Sequence, residues 1–94
     1  MLRFAWDEAK SRENKRKHGV TFEEAETVFL DDWGVLIEDE DEEEERFVLI
    51  GTSAGVRVLV VSHTYRAREQ VIRLISARKA NRSERRDYER RWKR

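Results

Sequence analysis

Leu2, Phe4 and Trp6 alternate with Arg3 and Ala5, a period of two that predicts a short first strand. Asp7 stands where its carboxylate can cap a helix running to about Lys17, and Gly19 can take the left-handed position that closes it. Thr21 and Glu24, at capping-box spacing, mark a second helix with an apolar stripe of Phe22, Ala25, Val28 and Phe29. Neither helix is long enough to hold itself together in water, so both must pack on the strands that follow. Those strands are predicted over residues 34–37, 46–52, 56–65 and 70–77. Ser53-Ala54-Gly55 carries turn chemistry and residues 66–69 make a tight polar connection, so the last three strands form an antiparallel meander. The last two are apolar on both faces and need cover on both, from the helices on one side and the tail on the other. Asn81 and Glu84 repeat the cap spacing before a final helix in which Arg85, Tyr88 and Trp92 share a face. The pattern predicts an α+β fold in one domain, residues 1–94.

Composition narrows the function classes. Of 94 residues, 38% are hydrophobic and 43% charged, so the core must be thin. With no cysteine and two histidines far apart in sequence, neither a disulfide framework nor a thiolate or zinc site is expected, and no metal or cofactor is assigned. No apolar run is longer than the four residues of Val58 to Val61, far below the ~20 residues of a membrane span, so a cytoplasmic protein with no membrane partner is expected. The net charge of zero hides a segregation. Residues 1–30 carry six basic and six acidic side chains, 31–45 carry ten acidic and none basic, and 46–94 carry fourteen basic against four acidic. A C-terminal half of +10 points to a polyanionic partner or a charged protein partner.

Alternation along the fourth predicted strand puts Arg57, Leu59, Val61, His63 and Tyr65 on one face. On the fifth, Val71, Arg73, Ile75, Ala77 and Lys79 alternate with Ile72, Leu74, Ser76 and Arg78. The strand ends thus gather His63, Tyr65, Arg73, Ser76, Arg78 and Lys79, and the last helix adds Arg82, Arg85 and Arg86. Guanidinium forks, an imidazole and a phenol with little carboxylate suit a phosphodiester. Ordinary explanations compete at each position. A strand-end arginine is usually a solvated edge charge, although Arg73, flanked by apolar residues, needs a partner if it is buried. His63 alone is more often a packing histidine than a catalyst, and Tyr88 and Trp92 sit at packing spacing. Lys15, Arg16, Lys17 and His18 complement the dipole of the first helix with no further role required. The eight acidic residues 38–45 read as a solvated loop. Composition and spacing therefore reach a small α+β domain with a basic, nucleic-acid-binding face.

Particular strings go further. Phe4-Ala5-Trp6-Asp7, Asn14, Lys17-His18-Gly19-Val20, Phe22-Glu23-Glu24-Ala25 and Val28-Phe29 resemble the N-terminal signature of the BrnT family of toxins. Glu45-Arg46-Phe47, Ile50-Gly51, His63-Thr64-Tyr65-Arg66, Ile72-Arg73, Ile75-Ser76-Ala77-Arg78-Lys79-Ala80, Glu84-Arg85 and Tyr88 continue it in order over nearly the whole chain. Ala67-Arg68-Glu69, the dense acidic run and the Trp92-Lys93-Arg94 tail depart from the family pattern. The resemblance implies a RelE-like fold and the toxin half of a type II toxin-antitoxin pair. It implies RNA as substrate and a BrnA-type, DNA-binding antitoxin as partner, through which operator DNA is reached indirectly. A toxin homodimer or toxin-antitoxin heterotetramer fits the same picture. The chemistry expected is metal-independent: the RNA 2′-hydroxyl attacks its own 3′-phosphate and leaves a 2′,3′-cyclic phosphate. In that scheme Arg73 and Arg78 stabilise charge, Lys79 supports them, and His63 or Tyr65 transfers the proton. Lys17, His18, Arg82, Arg85 and Arg86 bind RNA, and the acidic segment faces away from the active cleft. The alternative is a non-catalytic nucleic-acid-binding or co-repressor module.

Overall fold

Each helix predicted from its capping residue begins there. At the head of α1 (Glu8–His18) the Asp7 carboxylate accepts from the backbone N–H of Ala9 at 2.8 Å and of Lys10 at 3.2 Å. Gly19 closes this helix at φ 68°, its N–H on the Lys15 carbonyl at 2.9 Å. Thr21 Oγ1 accepts from Glu24 N–H at 3.0 Å to start α2 (Phe22–Thr27), which runs into a 3-10 turn at Val28–Leu30. At α3 (Arg82–Trp92) the box closes in both directions: Asn81 Oδ1 accepts from Glu84 N–H at 2.8 Å, and Glu84 Oε1 accepts from Asn81 N–H at 2.9 Å. The computed structural model describes residues 2–39, 45–66 and 70–92.

The strands are β1 (Arg3–Ala5), β2 (Val35–Asp39), β3 (Arg46–Thr52), β4 (Val58–Arg66) and β5 (Val71–Lys79), in the spatial order β1-β5-β4-β3-β2. β2 to β5 form the expected antiparallel succession, while β1 lies parallel to β5 and makes the sheet mixed. Parallel neighbours need a crossover, and the chain between β1 and β5 carries α1 and α2 across one face. β2 runs further than predicted, so Glu38 and Asp39 end a strand instead of beginning a loop. Residues 40–44 of the acidic segment and 67–69 of the polar connection lie outside the described residues.

Both sheet faces are covered, unequally. On one, Val20, Phe22, Ala25 and Val28 pack against Leu49, Leu59, Val61, Ile72, Leu74 and Ala77. Buried Asn14 ties α1 to this face: its amide donates to the carbonyls of Val20 at 2.9 Å and Ala77 at 2.8 Å, and its oxygen accepts from Ala77 N–H at 3.0 Å. On the other face only Ile50, Val60 and Tyr88 make a buried cluster. There α3 is pinned by the Tyr88 hydroxyl, which donates to Asp31 Oδ2 and lies 2.8 Å from Thr52 Oγ1. Val35, Val48, Val58 and Ala80 pack around that cluster and are only partly buried, so among the described residues this face is the less covered one.

Candidate nucleic-acid cleft

A slip between β4 and β5 decides which side chains share the open face. Ser62 pairs with Ser76 and His63 with Leu74, so Ile75 opposes no residue of β4. A bulge of one residue reverses the alternation beyond it. Ile72, Leu74 and Ala77 therefore all belong to the helix-side core, while Arg73, Ser76 and Arg78 share the open face with Ser62 and Thr64. Strict alternation had put Arg73 with Ala77 and Lys79, and this grouping is corrected. Lys79 stands opposite Leu59 on the helix side, where its charge acts on Glu24.

Among the described residues, two neighbouring clefts open on the less covered face. One, of about 540 Å³, is lined by Glu45, Thr64, Tyr65, Arg66 and Arg73. The other, of about 550 Å³, has Ser62, Ser76, Arg78 and Glu84 among its walls. Arg78 donates from both terminal nitrogens to the two oxygens of Glu84, each at 2.8 Å. This fork raises the Arg78 pKa and holds the Glu84 carboxyl below its usual value.

His63 is not in either cleft. It is fully buried on the helix side, edge-on to Phe29 at 4.8 Å between ring centroids and to Tyr65 at 5.1 Å. Nδ1 lies 3.1 Å from the Val61 carbonyl, which can only accept, so this nitrogen carries the hydrogen and Nε2 accepts from the Tyr65 hydroxyl at 3.2 Å. Burial lowers the His63 pKa against the opposing effect of Val61, and keeps the ring neutral at neutral pH. Tyr65, opposite Ile72 on the same side of β4 as His63, remains 43% exposed at the strand end and also lines the edge of the Arg73 cleft. Burial raises its pKa, so the phenol stays protonated.

Residues 6–84 match the family described as the ribonuclease toxin BrnT of type II toxin-antitoxin systems. The chain belongs to the BrnT family. The 1.1 Å crystal structure of the ribonuclease toxin BrnT from Brucella abortus aligns with a TM-score of 0.69 and 23% identity, over 87% of this chain and 100% of that one, which establishes the shared fold. No curated protein matches the chain. Among the described residues no helix is long and apolar enough to cross a membrane.

Much of the BrnT signature has a structural explanation. Asn14 bridges α1 to β5, Glu24 holds Arg57 through Nε at 2.9 Å and accepts from the Ser53 hydroxyl at 2.6 Å, and Tyr88 docks α3. A Cβ at Gly51 would come within 2.9 Å of Val28 Cγ1, so glycine lets β3 pass under the 3-10 turn. Of the site residues expected for a BrnT toxin, Arg73 and Tyr65 line one cleft and Arg78 the other. Arg82, Arg85 and Arg86 are exposed along α3. Lys17, 3.7 Å from Glu13, and His18 end α1 on the opposite side of the sheet. The acidic segment does not turn wholly away: Glu45 lines the Arg73 cleft, and Glu38 and Asp39 line the Arg78 cleft. Strand pairing places Glu38 and Asp39 on the sheet, with Glu45 immediately before β3, whereas the sequence reading treats residues 38–45 as one solvated block and misses Glu45. Its position immediately before β3 was the available signal.

Proposed function

We propose that the chain is an endoribonuclease toxin that cleaves RNA by internal phosphoryl transfer in the Arg73 cleft, with no metal ion taking part. The observation carrying this reading is that one cleft gathers Arg66, Arg73 and Glu45 with Thr64 and Tyr65 in its lining. In-line attack of the 2′-hydroxyl needs a proton acceptor, positive charge on the equatorial oxygens, and a proton donor for the departing 5′-oxygen. Arg66 and Arg73 take the phosphate oxygens. Glu45 accepts the 2′-hydroxyl proton, and the Tyr65 hydroxyl turns its one hydrogen from His63 Nε2 to the leaving oxygen. Arg78, held by Glu84, stabilises charge from the neighbouring cleft, and Arg82, Arg85 and Arg86 extend the phosphate track. Lys79, Lys17 and His18 stand on the far side and contribute to the surrounding positive field. The partner is a BrnA-type antitoxin that covers the open face of the cytoplasmic toxin and links it to operator DNA.

The test is incubation of purified chain with 5′-labelled single-stranded RNA in EDTA. Fragments ending in 2′,3′-cyclic phosphate are expected. Retarded but intact RNA would replace this reading with the non-catalytic module, and cleavage abolished by EDTA would remove the metal-free mechanism.

A further inference from the structure

We propose that the second cleft is a nucleobase pocket that selects guanine beside the phosphate bound at Arg73. The assignment rests on the ribonuclease reading only for the direction in which the RNA lies.

The pocket is a built recess on the sheet. Its floor comes from Val48, Ile50 and Val60 on two neighbouring strands, with Ile37 from β2 and the Ser62 and Ser76 hydroxyls, which are register partners. At about 550 Å³ it falls within the size range of small-molecule sites. Aliphatic surface beneath offers a planar heterocycle a floor, and the Arg78–Glu84 fork, Asp39 and the serine hydroxyls around it offer fixed polar partners. Continuity with the first cleft is set by β4. Ser62 lines one and Thr64, the next residue on the same face, lines the other, about 6.6 Å further along the strand. A phosphate at Arg66 and Arg73 thus leaves its attached nucleoside within reach of Ser62.

The polar complement chooses among the bases. Asp39 supplies a carboxylate, which only accepts, Arg78, forked to Glu84, only donates, and the serine hydroxyls can do either. Guanine presents two adjacent donors, N1–H and N2–H, to one carboxylate, with O6 left for a hydroxyl. Adenine and cytosine place an unprotonated ring nitrogen beside their amino group, which a carboxylate repels, and uracil has one donor between two acceptors. Asp39 shares the pocket face with Ile37, opposite Arg46 in the β2–β3 register, whereas Glu38 alternates to the other face.

The test uses nucleotides and does not depend on cleavage. The isotope-labelled chain is titrated with the 3′-monophosphates of guanosine, adenosine, cytidine, uridine and inosine, following backbone amides by NMR. Guanosine 3′-monophosphate should shift Ile37, Val48, Ser62 and Ser76 and bind about tenfold tighter than the adenosine compound, with inosine, which lacks the exocyclic amine, between them. Asp39→Asn should bring guanosine down to the level of adenosine, and Ser62→Ala should weaken guanosine binding in a chain whose spectrum remains native. Equal affinities, or shifts confined to the Arg73 cleft, would overturn the pocket, as would a guanosine preference that survives both substitutions. Selective guanosine binding by a chain that cuts no RNA would refute the nuclease reading and keep the pocket. Cleavage of RNA without any nucleotide preference would do the reverse.

Discussion

Residues that look alike in sequence do different work according to the sheet face they occupy. Arg73 is half-buried in a cleft with Arg66, Tyr65 and Glu45, and its charge also helps lower the Asp7 carboxyl pKa after the backbone N–H groups of that cap. If Arg73 stabilises a phosphorane, Arg73→Ala should lower the rate of RNA cleavage by about 100- to 1000-fold while leaving circular dichroism native. Full activity in a folded variant would remove it from the mechanism. His63 shows the opposite case, a neutral ring sealed in the core. Its folded pKa lies below the usual 6.5, so below pH 6.5 the unfolded chain takes up a proton that the folded chain resists. Its stabilising contribution is therefore complete above 6.5 and declines as pH falls toward the lowered folded value. The depressed carboxylates Glu24, Asp31 and Glu84 titrate in a lower window, below 4.5 or 3.8 for their unfolded forms. The urea midpoint should consequently drop between pH 7 and 5, and this slope should vanish in His63→Gln. A retained slope would trace the loss to another group.

At the scale of elements, the legible features were local and the missed ones depended on pairing. Asp7, Thr21, Asn81 and Glu84 declared three helix starts because a cap needs only residues two or three apart. The step at Ile75 left no such mark, since a bulge exists only relative to the opposite strand, and it separated Lys79 from Arg73 and put Arg73 on one face with Arg78. The turn between β3 and β4 gives a similar lesson. Its residues 53–55 were correctly read as turn-forming, and Ser53 exchanges backbone hydrogen bonds with Arg57 at 2.8 Å and Val56 at 2.9 Å. Yet the left-handed position falls on Val56, at φ 60° and largely exposed, and not on Gly55. Glycine is needed at 55 for space, because a Cβ there would lie 3.0 Å from Glu24 Oε2. A β-branched residue in the left-handed region is strained, so Val56→Gly should stabilise the fold by about 1 kcal/mol, measured by urea unfolding. The gain is limited by the extra freedom glycine gives the unfolded chain, and a net loss would mean that this freedom outweighs the relief.

Across the whole molecule, the sheet divides its labour. The helix side is closed by α1 and α2, whereas α3 covers the other side chiefly through Tyr88 and leaves two clefts beside it. This asymmetry gives the segregated charge a destination. Arg66, Arg73 and Arg78 come to the open face, α3 adds an exposed row, and Glu38, Asp39 and Glu45 interrupt the field where selectivity rather than raw attraction would be useful. An RNA drawn there should be held by two separable contributions, a salt-sensitive one from phosphates along α3 and a geometric one within the clefts. Replacing Arg82, Arg85 and Arg86 together by glutamine tests the division. Each lost contact to a single strand removes about 0.7 from the slope of log affinity against log salt, so the slope should become shallower by up to about 2. The bases at which RNA is cut should stay the same, because counterion release is blind to sequence. Glutamine keeps the helix propensity of these exposed positions, so α3 should remain docked through Tyr88. A changed cleavage pattern with an unaltered salt slope would show that α3 reads bases, and would move recognition out of the clefts and onto the helix.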